Sequence, residues 1–401
     1  MTGVATAAAK PPRAPVPATT CPACRSTSVE VFYEQDGVPI HSCRLVGSRK
    51  EALEFPRGLL RLGLCRSCGF IANVAYDATL QDYSVSYEET QGFSPRFRRF
   101  ADELAHEWVA RYDLRGKTIL EIGCGKVEFL AEMCVAGAKR GIGVDPSIVD
   151  ERVPAAVAPR IELIPDLFDE RYADLEADAI VCRHTLEHIG PVGEFMELVR
   201  RCAAQTGAVI LFELPDVLRV LNETAFWDVY YEHCSYFSPG ALARLFRSTG
   251  LDVLHAELAY DGQYILLEAV PGNGSGVPLA VEESPDDVAV AVEGFVQSYP
   301  DAVAAWRAQI AEAARPVVWG GGSKGVAFLT TLGAPRELEY VVDINPYKQG
   351  RFIAGTGHEV IAPTQLAAYR PDLVIAMNPV YLNEIRATLD GLEIDCELIA
   401  A

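Results

Sequence analysis

Two segments of the chain repeat one order of features, and they constrain the fold more than anything else in the sequence. In the first, the β-rich run "KTILEIGCGK" is followed by the helical "VEFLAEMCVAG" and by "GIGVDPS". In the second, "PVVWGGGSKG" leads into a helical stretch and then into "YVVDINP". Each segment has the strand, glycine turn, helix, strand and acidic residue of a βαβ unit that binds a nucleoside-bearing cofactor. We therefore predict an α/β fold with two Rossmann-like domains, since 401 residues are too many for a single core.

Bulk composition excludes some classes of partner. The net charge of −20 and the pI of about 4.8 argue against nucleic acid and anionic membrane as partners, because both would be repelled. No apolar run approaches the roughly 20 residues that span a bilayer. Residues 1–20 lack a continuous apolar segment and contain several prolines, so we predict a disordered tail rather than a signal peptide. We expect a cytoplasmic protein with a small-molecule substrate, and the sequence leaves the oligomeric state open.

Two CxxC pairs near the N-terminus predict a metal site. Each pair can supply two thiolates from a tight turn, and two facing turns make a tetrahedral four-sulfur site, which suits zinc best. The four ligands would be Cys21, Cys24, Cys65 and Cys68. We predict a zinc-binding module over residues 21–80 with a structural role, because four cysteines leave no open coordination position. Two alternatives are four unligated thiols and a redox CxxC motif, although redox motifs come singly on a βαβ unit.

The first glycine unit favours S-adenosylmethionine over a dinucleotide. Its loop reads E-x-G-x-G and lacks the third glycine of G-x-G-x-x-G. The loop resembles motif I of class I methyltransferases, and "GVDPS" resembles their motif II. The resemblance implies a cofactor site that also includes the acidic residue of "IPDLFDE" beside the adenine. Its predicted members are Glu121, Gly123, Gly125, Asp145 and Asp166. An ordinary α/β unit with a glycine turn is the alternative.

Further strands bring more polar residues to the same place. "ADAIVCRHTLEHI" and "GAVILFELPDV" predict two more strands, and ligands of doubly wound sheets lie at the carboxyl ends of strands. His184, His188, Glu213 and the segment "YYEHCSYF" at residues 230–237 should therefore converge on one crevice with the cofactor loop. The composition of "YYEHCSYF" fits either aromatic packing or proton transfer.

The second glycine unit follows a linker around Asn273–Gly276. Gly320, Gly322 and Gly325 complete G-x-G-x-x-G, which taken alone is a fingerprint for NAD. The alternative is a loop that holds a substrate phosphate with backbone N–H groups and Lys324 at a helix N-terminus. We predict a methyltransferase domain over residues 81–272 and a C-terminal Rossmann-like substrate domain over residues 277–401.

Taken in order, these blocks resemble the three-domain sugar C-methyltransferases, which methylate nucleotide-linked keto-deoxysugars in natural-product and antibiotic biosynthesis. The resemblance runs from Cys21 to about Ile385 and includes the CxxC pairs, "EIGCG", "GVDPS", "YYEHCSYFS" and "GGGSKG". It implies that the substrate lies between the middle and C-terminal domains. It also implies a Y-x-E-H motif with a histidine base. The implied catalytic residues are Tyr230, Glu232, His233 and His188, and the implied substrate contacts are Tyr83 or Tyr87, Gly322, Lys324 and Asp343.

Some blocks depart from the family pattern. "CGKVEF" stands where the family usually has N-D-G, "AGTG" at residues 354–357 replaces "PG", and a late tryptophan is replaced in "AMNPVY". The stretch "YEETQGFSP" differs from the usual serine-rich segment. These departures leave the methyltransferase prediction in place and leave the acceptor open.

Carbon methylation needs a carbanion equivalent, which a base and a stabilised enolate oxygen can provide. His233 suits the base because the unperturbed pKa of histidine is about 6.5. We expect Glu232 to orient that imidazole or raise its basicity, and Tyr230 and His188 to donate to the enolate oxygen. Rival hypotheses are O- or N-methylation with the same base, an NAD-dependent oxidoreductase, and a non-catalytic zinc-bearing binding protein.

Overall fold

A computed structural model describes residues 20–401 of the chain, so the predicted disordered tail lies almost entirely outside the described residues. The described part contains three β-sheets. Within residues 20–401, no helix combines the length and the apolar character needed to cross a membrane.

The elements are numbered in chain order. The strands are β1 (Val29–Pro39), β2 (Arg57–Cys65), β3 (Ile71–Asn73), β4 (Thr118–Ile122), β5 (Arg140–Val144), β6 (Ile161–Ile164), β7 (Ala179–Arg183), β8 (Val209–Pro215), β9 (Ser235–Tyr236), β10 (Leu251–Ala259), β11 (Tyr264–Pro271), β12 (Pro316–Trp319), β13 (Tyr340–Val342), β14 (Glu359–Ile361), β15 (Leu373–Ala376) and β16 (Glu397–Ala400). The α-helices are α1 (Arg49–Leu53), α2 (Pro95–Arg111), α3 (Glu128–Ala136), α4 (Val192–Thr206), α5 (Val217–Asn222), α6 (Pro239–Ser248), α7 (Pro285–Glu312), α8 (Ser323–Leu332), α9 (Leu366–Tyr369) and α10 (Leu382–Gly391).

The middle sheet has the order β10-β11-β8-β7-β4-β5-β6. Strands β8 to β6 run parallel, and the hairpin β10–β11 adds two antiparallel strands at one edge. β7 is buried along its whole length, as expected of a parallel strand covered on both faces. The strand order reverses between β4 and β7. In sheets of this kind, ligands bind in the crevice at that switch point.

The C-terminal sheet repeats the arrangement with fewer strands. Its order is β14-β13-β12-β15-β16, and every pair is parallel. Its switch point therefore lies between β12 and β15, where the "GGGSKG" turn leaves β12. The prediction of an α/β fold with two Rossmann-like units is confirmed.

The N-terminal module is an antiparallel sheet with the order β1-β2-β3-β9. Its fourth strand, β9, comes from the middle of the chain and directly follows the Y-x-E-H motif. Ile71 pairs with Tyr236, and the amide of Asn73 donates to the carbonyl of Cys234 at 2.9 Å. The sheet of the module thus includes residues that the sequence prediction placed in the methyltransferase domain.

A single apolar cluster joins all three parts of the chain. It includes side chains from the module, from α5 and the segment after it, from α7, and from the C-terminal sheet. Phe226 packs against Trp227 and stacks on Phe328 of α8. Because these parts share one core, the segment that carries the Y-x-E-H motif packs against both the module and the C-terminal part of the chain.

Tyr231 anchors this segment in the module. Its side chain is fully buried, and its hydroxyl accepts a hydrogen bond from the amide of Asp77 at 2.9 Å. Gly58 of β2 lies against the ring, so that a Cβ on Gly58 would lie 2.4 Å from Cε2 of Tyr231. A side chain at position 58 would therefore displace the ring.

We predict that Gly58→Ala destabilises the protein by about 1–3 kcal/mol, the usual cost of overpacking a core. Gly294→Ala on α7 is the matched control, because a Cβ there has no atom within 4 Å. In a helix this change should be neutral or stabilising by about 0.4–1 kcal/mol. Thermal and denaturant unfolding of the two variants would check this. Equal stability of the two variants would contradict the packing described for Tyr231.

Candidate active site

One cavity of about 1250 Å³ lies where the middle sheet, the C-terminal sheet and the N-terminal module meet. It contains the carboxyl ends of β4, β5 and β7 on one side and of β12 and β15 on the other. The non-cysteine residues predicted for the site line this cavity, with Glu213 and Glu232 as the exceptions. They are Glu121, Gly123, Gly125, Asp145, Asp166, Tyr83, Tyr87, His184, His188, Tyr230, His233, Gly322, Lys324 and Asp343.

The turn after β4 is built for close approach of a ligand. Gly123 and Gly125 have φ of +73° and +51°, a region that favours glycine. A Cβ on Gly123 would also lie 2.0 Å from Oγ1 of Thr185. Asp145, after β5, accepts hydrogen bonds from the amides of Gly125 at 2.9 Å and Ser147 at 2.6 Å. Its half-buried carboxylate is thereby fixed beside the turn.

Glu121 is a buried carboxyl group with one unpartnered oxygen. The side chain is 2% exposed, and its Oε2 has no hydrogen-bond partner among the described residues. Burial raises the pKa of Glu121 to about 8, against the opposing effect of Arg183. A cationic group such as the ammonium of S-adenosylmethionine would supply the missing partner. The acid, the glycine turn and Asp145 together fit that cofactor.

Asp166 lies at the cavity wall after β6. Its Oδ2 accepts a hydrogen bond from the Tyr172 hydroxyl at 2.7 Å and pairs with Arg171 at 2.7 Å. The hydrogen bond from Tyr172 and the contact with Arg171 lower the pKa of Asp166. The carboxylate is therefore ionised at neutral pH.

Two histidines and two tyrosines form the centre of the cavity. Nε2 of His233 lies 2.9 Å from the Tyr230 hydroxyl, and Nδ1 of His188 lies 3.1 Å from the Tyr83 hydroxyl. The two imidazole rings pack edge to face, with centroids 5.0 Å apart. Burial, together with the positive charge of neighbouring groups, holds the pKa of His233 well below its usual value. His233 is therefore neutral near pH 7 and able to accept a proton.

Glu232 has a different partner from the one predicted. Its Oε1 lies 2.8 Å from Nδ1 of His41, and its Oε2 accepts a hydrogen bond from the amide of Ser42 at 2.9 Å. The prediction that Glu232 orients the ring of His233 is therefore wrong. Residues 231–232 form a turn, so Glu232 points into the module while His233 points into the cavity.

Lys324 connects the two domains across the cavity. Its Nζ pairs with Asp228 of the middle domain at 3.0 Å, and Asp228 also binds Arg219. Burial lowers the pKa of Lys324, while the neighbouring Asp228 acts in the opposite direction. A phosphate at this position would have to share Lys324 with Asp228.

The turn after β12 repeats the geometry of the cofactor turn. Asp343 accepts hydrogen bonds from the amides of Gly321 and Asn345, both at 2.8 Å. Unlike Asp145, Asp343 is buried, at 8% exposure. The amine of Lys348 lies 3.3 Å from the position of a Cβ on Gly322 and 4.0 Å from Asp343.

Sequence reasoning missed two residues at this site, Lys348 and His41. Lys348 stands in the "DINPYK" stretch, five residues after the predicted Asp343, and this closeness was an available signal. His184, which was predicted to converge on this crevice, lines the cavity, has φ of +48° and binds Glu213 at 2.7 Å. Burial lowers the pKa of His184, but Glu213 and Glu187 outweigh it and raise the pKa to about 9. His41 belongs to no motif, and nothing in the sequence pointed to it.

The four predicted zinc ligands lie together in the N-terminal module. Their Sγ atoms all lie within 4.8 Å of one another. The Cys21–Cys68 and Cys24–Cys65 sulfur distances are 3.7 and 3.5 Å. Four sulfurs at about 2.3 Å from a tetrahedral zinc are roughly 3.8 Å apart. The cluster therefore has the size that zinc requires.

Comparison with known proteins assigns the two larger parts of the chain. Residues 95–256 match the methyltransferase domain family, and residues 296–397 match the C-methyltransferase C-terminal domain family. The C-methyltransferase NovU of Streptomyces niveus is 28% identical over 347 residues, which cover 80% of each chain. The chain is an S-adenosylmethionine-dependent methyltransferase with the two domains of a C-methyltransferase. The prediction of such an enzyme is confirmed.

Other relatives match a smaller share of the chain. The ribosomal protein L11 methyltransferase of Pasteurella multocida is 30% identical over 112 residues, which cover 26% of this chain and 36% of the relative. Among solved structures, magnesium protoporphyrin IX methyltransferase from Synechocystis PCC 6803 with bound SAM has 16% identity and a TM-score of 0.32. That match covers 44% of this chain and 80% of that chain.

We predict that the reduced protein binds one zinc ion per chain through the four cysteines. Cys65→Ser should lower the zinc content and the thermal stability, because binding energy at a structural site contributes to folding. Cys396→Ser, outside the cluster, should do neither. Elemental analysis of the purified proteins would check this, and wild-type protein with well under one zinc ion per chain would contradict it.

We predict that Asp145→Ala weakens binding of S-adenosylmethionine by about 1.5–3 kcal/mol, because it removes a charge-assisted hydrogen bond. Asp102→Ala, on the exposed face of α2, is the control and should bind normally. Titration calorimetry gives both affinities. An unchanged affinity for Asp145→Ala would place the ribose of the cofactor elsewhere.

Proposed function

We propose that this enzyme methylates a carbon α to a ketone, with His233 as the general base. We propose as acceptor a nucleotide-linked keto-deoxysugar of natural-product biosynthesis. The observation that carries the proposal is a buried, neutral histidine paired with a tyrosine, in the same cavity as the cofactor turn. The similarity to NovU, which is named a C-methyltransferase, supports the same reaction class.

The two nitrogens of His233 have separate tasks in this proposal. With Nε2–H donated to the Tyr230 oxygen, Nδ1 keeps its lone pair, and it has no hydrogen-bond partner among the described residues. Nδ1 then accepts the α proton of the substrate. Because Tyr230 fixes the ring, little reorganisation is needed when the proton moves.

The enolate oxygen that forms needs a hydrogen-bond donor in a water-poor site. We assign this role to His188, which packs on His233 and is itself held by Tyr83. S-adenosylmethionine, when bound, supplies an electrophilic methyl group. The remaining task of the chain is to align the carbanion with that group, an orientation effect that can be large.

The C-terminal side of the cavity suits the polar end of the substrate. The glycine turn precedes the N-terminus of α8, where backbone N–H groups favour a phosphate. Lys348 beside Gly322 adds positive charge, and so does Lys324, which lines the same cavity. Asp343 is 8% exposed, whereas Asp145 is half-buried, and this difference argues against the ribose contact that NAD would need.

The departures from the family pattern do not bear equally on the acceptor. "AGTG" at residues 354–357 packs on the module, where Arg57 donates to the carbonyl of Gly355, and it does not line the cavity. By contrast, Glu89, Gln91 and Phe93 of "YEETQGFSP" line it. This segment therefore supports the second candidate, in which the same cofactor methylates a carbon or oxygen of a different small-molecule acceptor.

We predict that His233→Ala lowers turnover by about 10²–10⁴-fold, the usual contribution of a general base. Affinity for S-adenosylmethionine should stay at the wild-type value, because the cofactor turn is untouched. In D2O with S-adenosylhomocysteine, the wild-type enzyme should exchange the α proton of the ketone substrate, and the variant should not. Proton NMR of the substrate follows this exchange.

His106→Ala, on the exposed surface of α2, is the matched control and should exchange normally. In the enzyme without substrate, the pKa of His233 lies below 6.5. The loss of kcat/KM on acidification, which follows protonation of this base, should therefore occur below pH 6.5. Full turnover by His233→Ala would remove His233 from the mechanism. Methylation by the wild-type enzyme without any α-proton exchange would favour an oxygen acceptor.

A further inference from the structure

The N-terminal module reaches directly into the active site. β9 is the fourth strand of the module sheet, and it begins two residues after His233. Tyr231, two residues before His233, is buried in the core of the module. The segment that carries the proposed base is therefore attached to the module on both sides of that base.

His41 makes a third attachment, and its hydrogen bonds define its protonation. Asp82 N–H donates to Nε2 of His41 at 2.9 Å, so Nε2 has no proton. Nδ1 must then carry the proton and donate it to Oε1 of Glu232 at 2.8 Å. Both His41 and Glu232 are fully buried, at 0% exposure. The neutral imidazole therefore serves as donor on one side and as acceptor on the other.

The two partners of His41 stand next to active-site residues in the chain. Glu232 immediately precedes His233, and Asp82 immediately precedes Tyr83, whose hydroxyl holds His188. The imidazole of His41 therefore hydrogen-bonds to two segments of the active site. One carries His233, the proposed base, and the other carries Tyr83, whose hydroxyl contacts the proposed donor His188. The hydrogen bonds and ring contacts of His41 within residues 20–401 are with Glu232, Asp82, Tyr83 and Tyr87.

We propose that His41 is a positioning residue for methyl transfer and that the cysteine-bearing module is a working part of the active site. The inference rests on the proposed function, because His233 and Tyr83 are the groups that His41 positions. Without His41, the buried carboxylate of Glu232 loses one of its two partners, and such a group moves towards water or takes up a proton. A shift of about 1 Å in the positions of reacting groups can cost on the order of 10²-fold in rate.

Three substitutions separate the two links. His41→Asn places an amide near the position of Nδ1 and keeps a donor for Glu232. His41→Gln places its amide near the position of Nε2 and keeps an acceptor for Asp82. His41→Ala removes both links, and His106→Ala on the exposed face of α2 is the matched control.

The first readout is the reaction. For His41→Ala, kcat and the α-proton exchange rate should fall together, on the order of 10²-fold, with an unchanged Kd for S-adenosylmethionine. His41→Asn should recover more of kcat than His41→Gln, because the Glu232 link stands next to the base. Wild-type kcat and exchange in His41→Ala would overturn the inference. If His41→Ala does not fold, the other two variants test the inference. Lower activity in His41→Asn than in His41→Gln would then overturn it.

The second readout does not depend on the substrate. Hydrogen–deuterium exchange of the full chain with bound S-adenosylhomocysteine should be faster in His41→Ala at residues 230–236 and 82–87. It should be unchanged at β4 and β5. Unchanged protection at residues 230–236 would overturn the inference whatever the reaction proves to be. Faster exchange there, in an enzyme whose wild type exchanges no ketone α proton, would support the positioning role and reject the proposed reaction.

Discussion

The arrangement of the site depends on the hydrogen bonds that satisfy the buried carboxylate of Glu232. A charge at 0% exposure is costly unless it is paired and hydrogen-bonded, and His41 and the amide of Ser42 satisfy it from the module. The next residue in the chain is His233. The direction in which His233 enters the cavity is thus set by a contact between residues 191 positions apart in the sequence.

The parts of the chain that this contact joins also share one apolar core. The module contributes β1 to β3, the middle domain contributes β9 to the same sheet, and α7 and α8 cover the other side. The cysteine cluster lies where β1 begins and β2 ends. None of its four cysteines lines the cavity, so a metal bound there would affect catalysis only through the packing of the module.

The two Rossmann-like units share one hydrogen-bonding feature at the glycine turn, but it suits a different ligand group in each unit. In each, an aspartate after the second strand accepts hydrogen bonds from an amide of the glycine turn. Asp145 keeps its carboxylate half-buried beside the cavity, whereas Asp343 is buried near Lys348. The same fold therefore offers an acceptor for ribose hydroxyls in one unit and positive charge in the other, and fold alone would not distinguish them.

The features that the sequence predicted are those with a local signature. Glycine turns, strand-end acids and CxxC pairs lie within short segments, and strand ends gather at a switch point by the rules of the fold. The pairing of Glu232 with His41, the bridge from Lys324 to Asp228 and the addition of β9 to the module sheet have no such signature. They depend on contacts between distant segments, and the partner of Glu232 was therefore predicted wrongly.

The reaction proposed for this enzyme forms a carbon–carbon bond beside a ketone. It can be observed by 13C NMR of the product made from a uniformly 13C-labelled nucleotide-linked keto-deoxysugar and S-adenosylmethionine labelled with 13C at the methyl group. The new methyl carbon should show one-bond carbon–carbon coupling to the carbon next to the ketone. A methyl carbon without that coupling, bonded to oxygen or nitrogen, would contradict the proposed reaction.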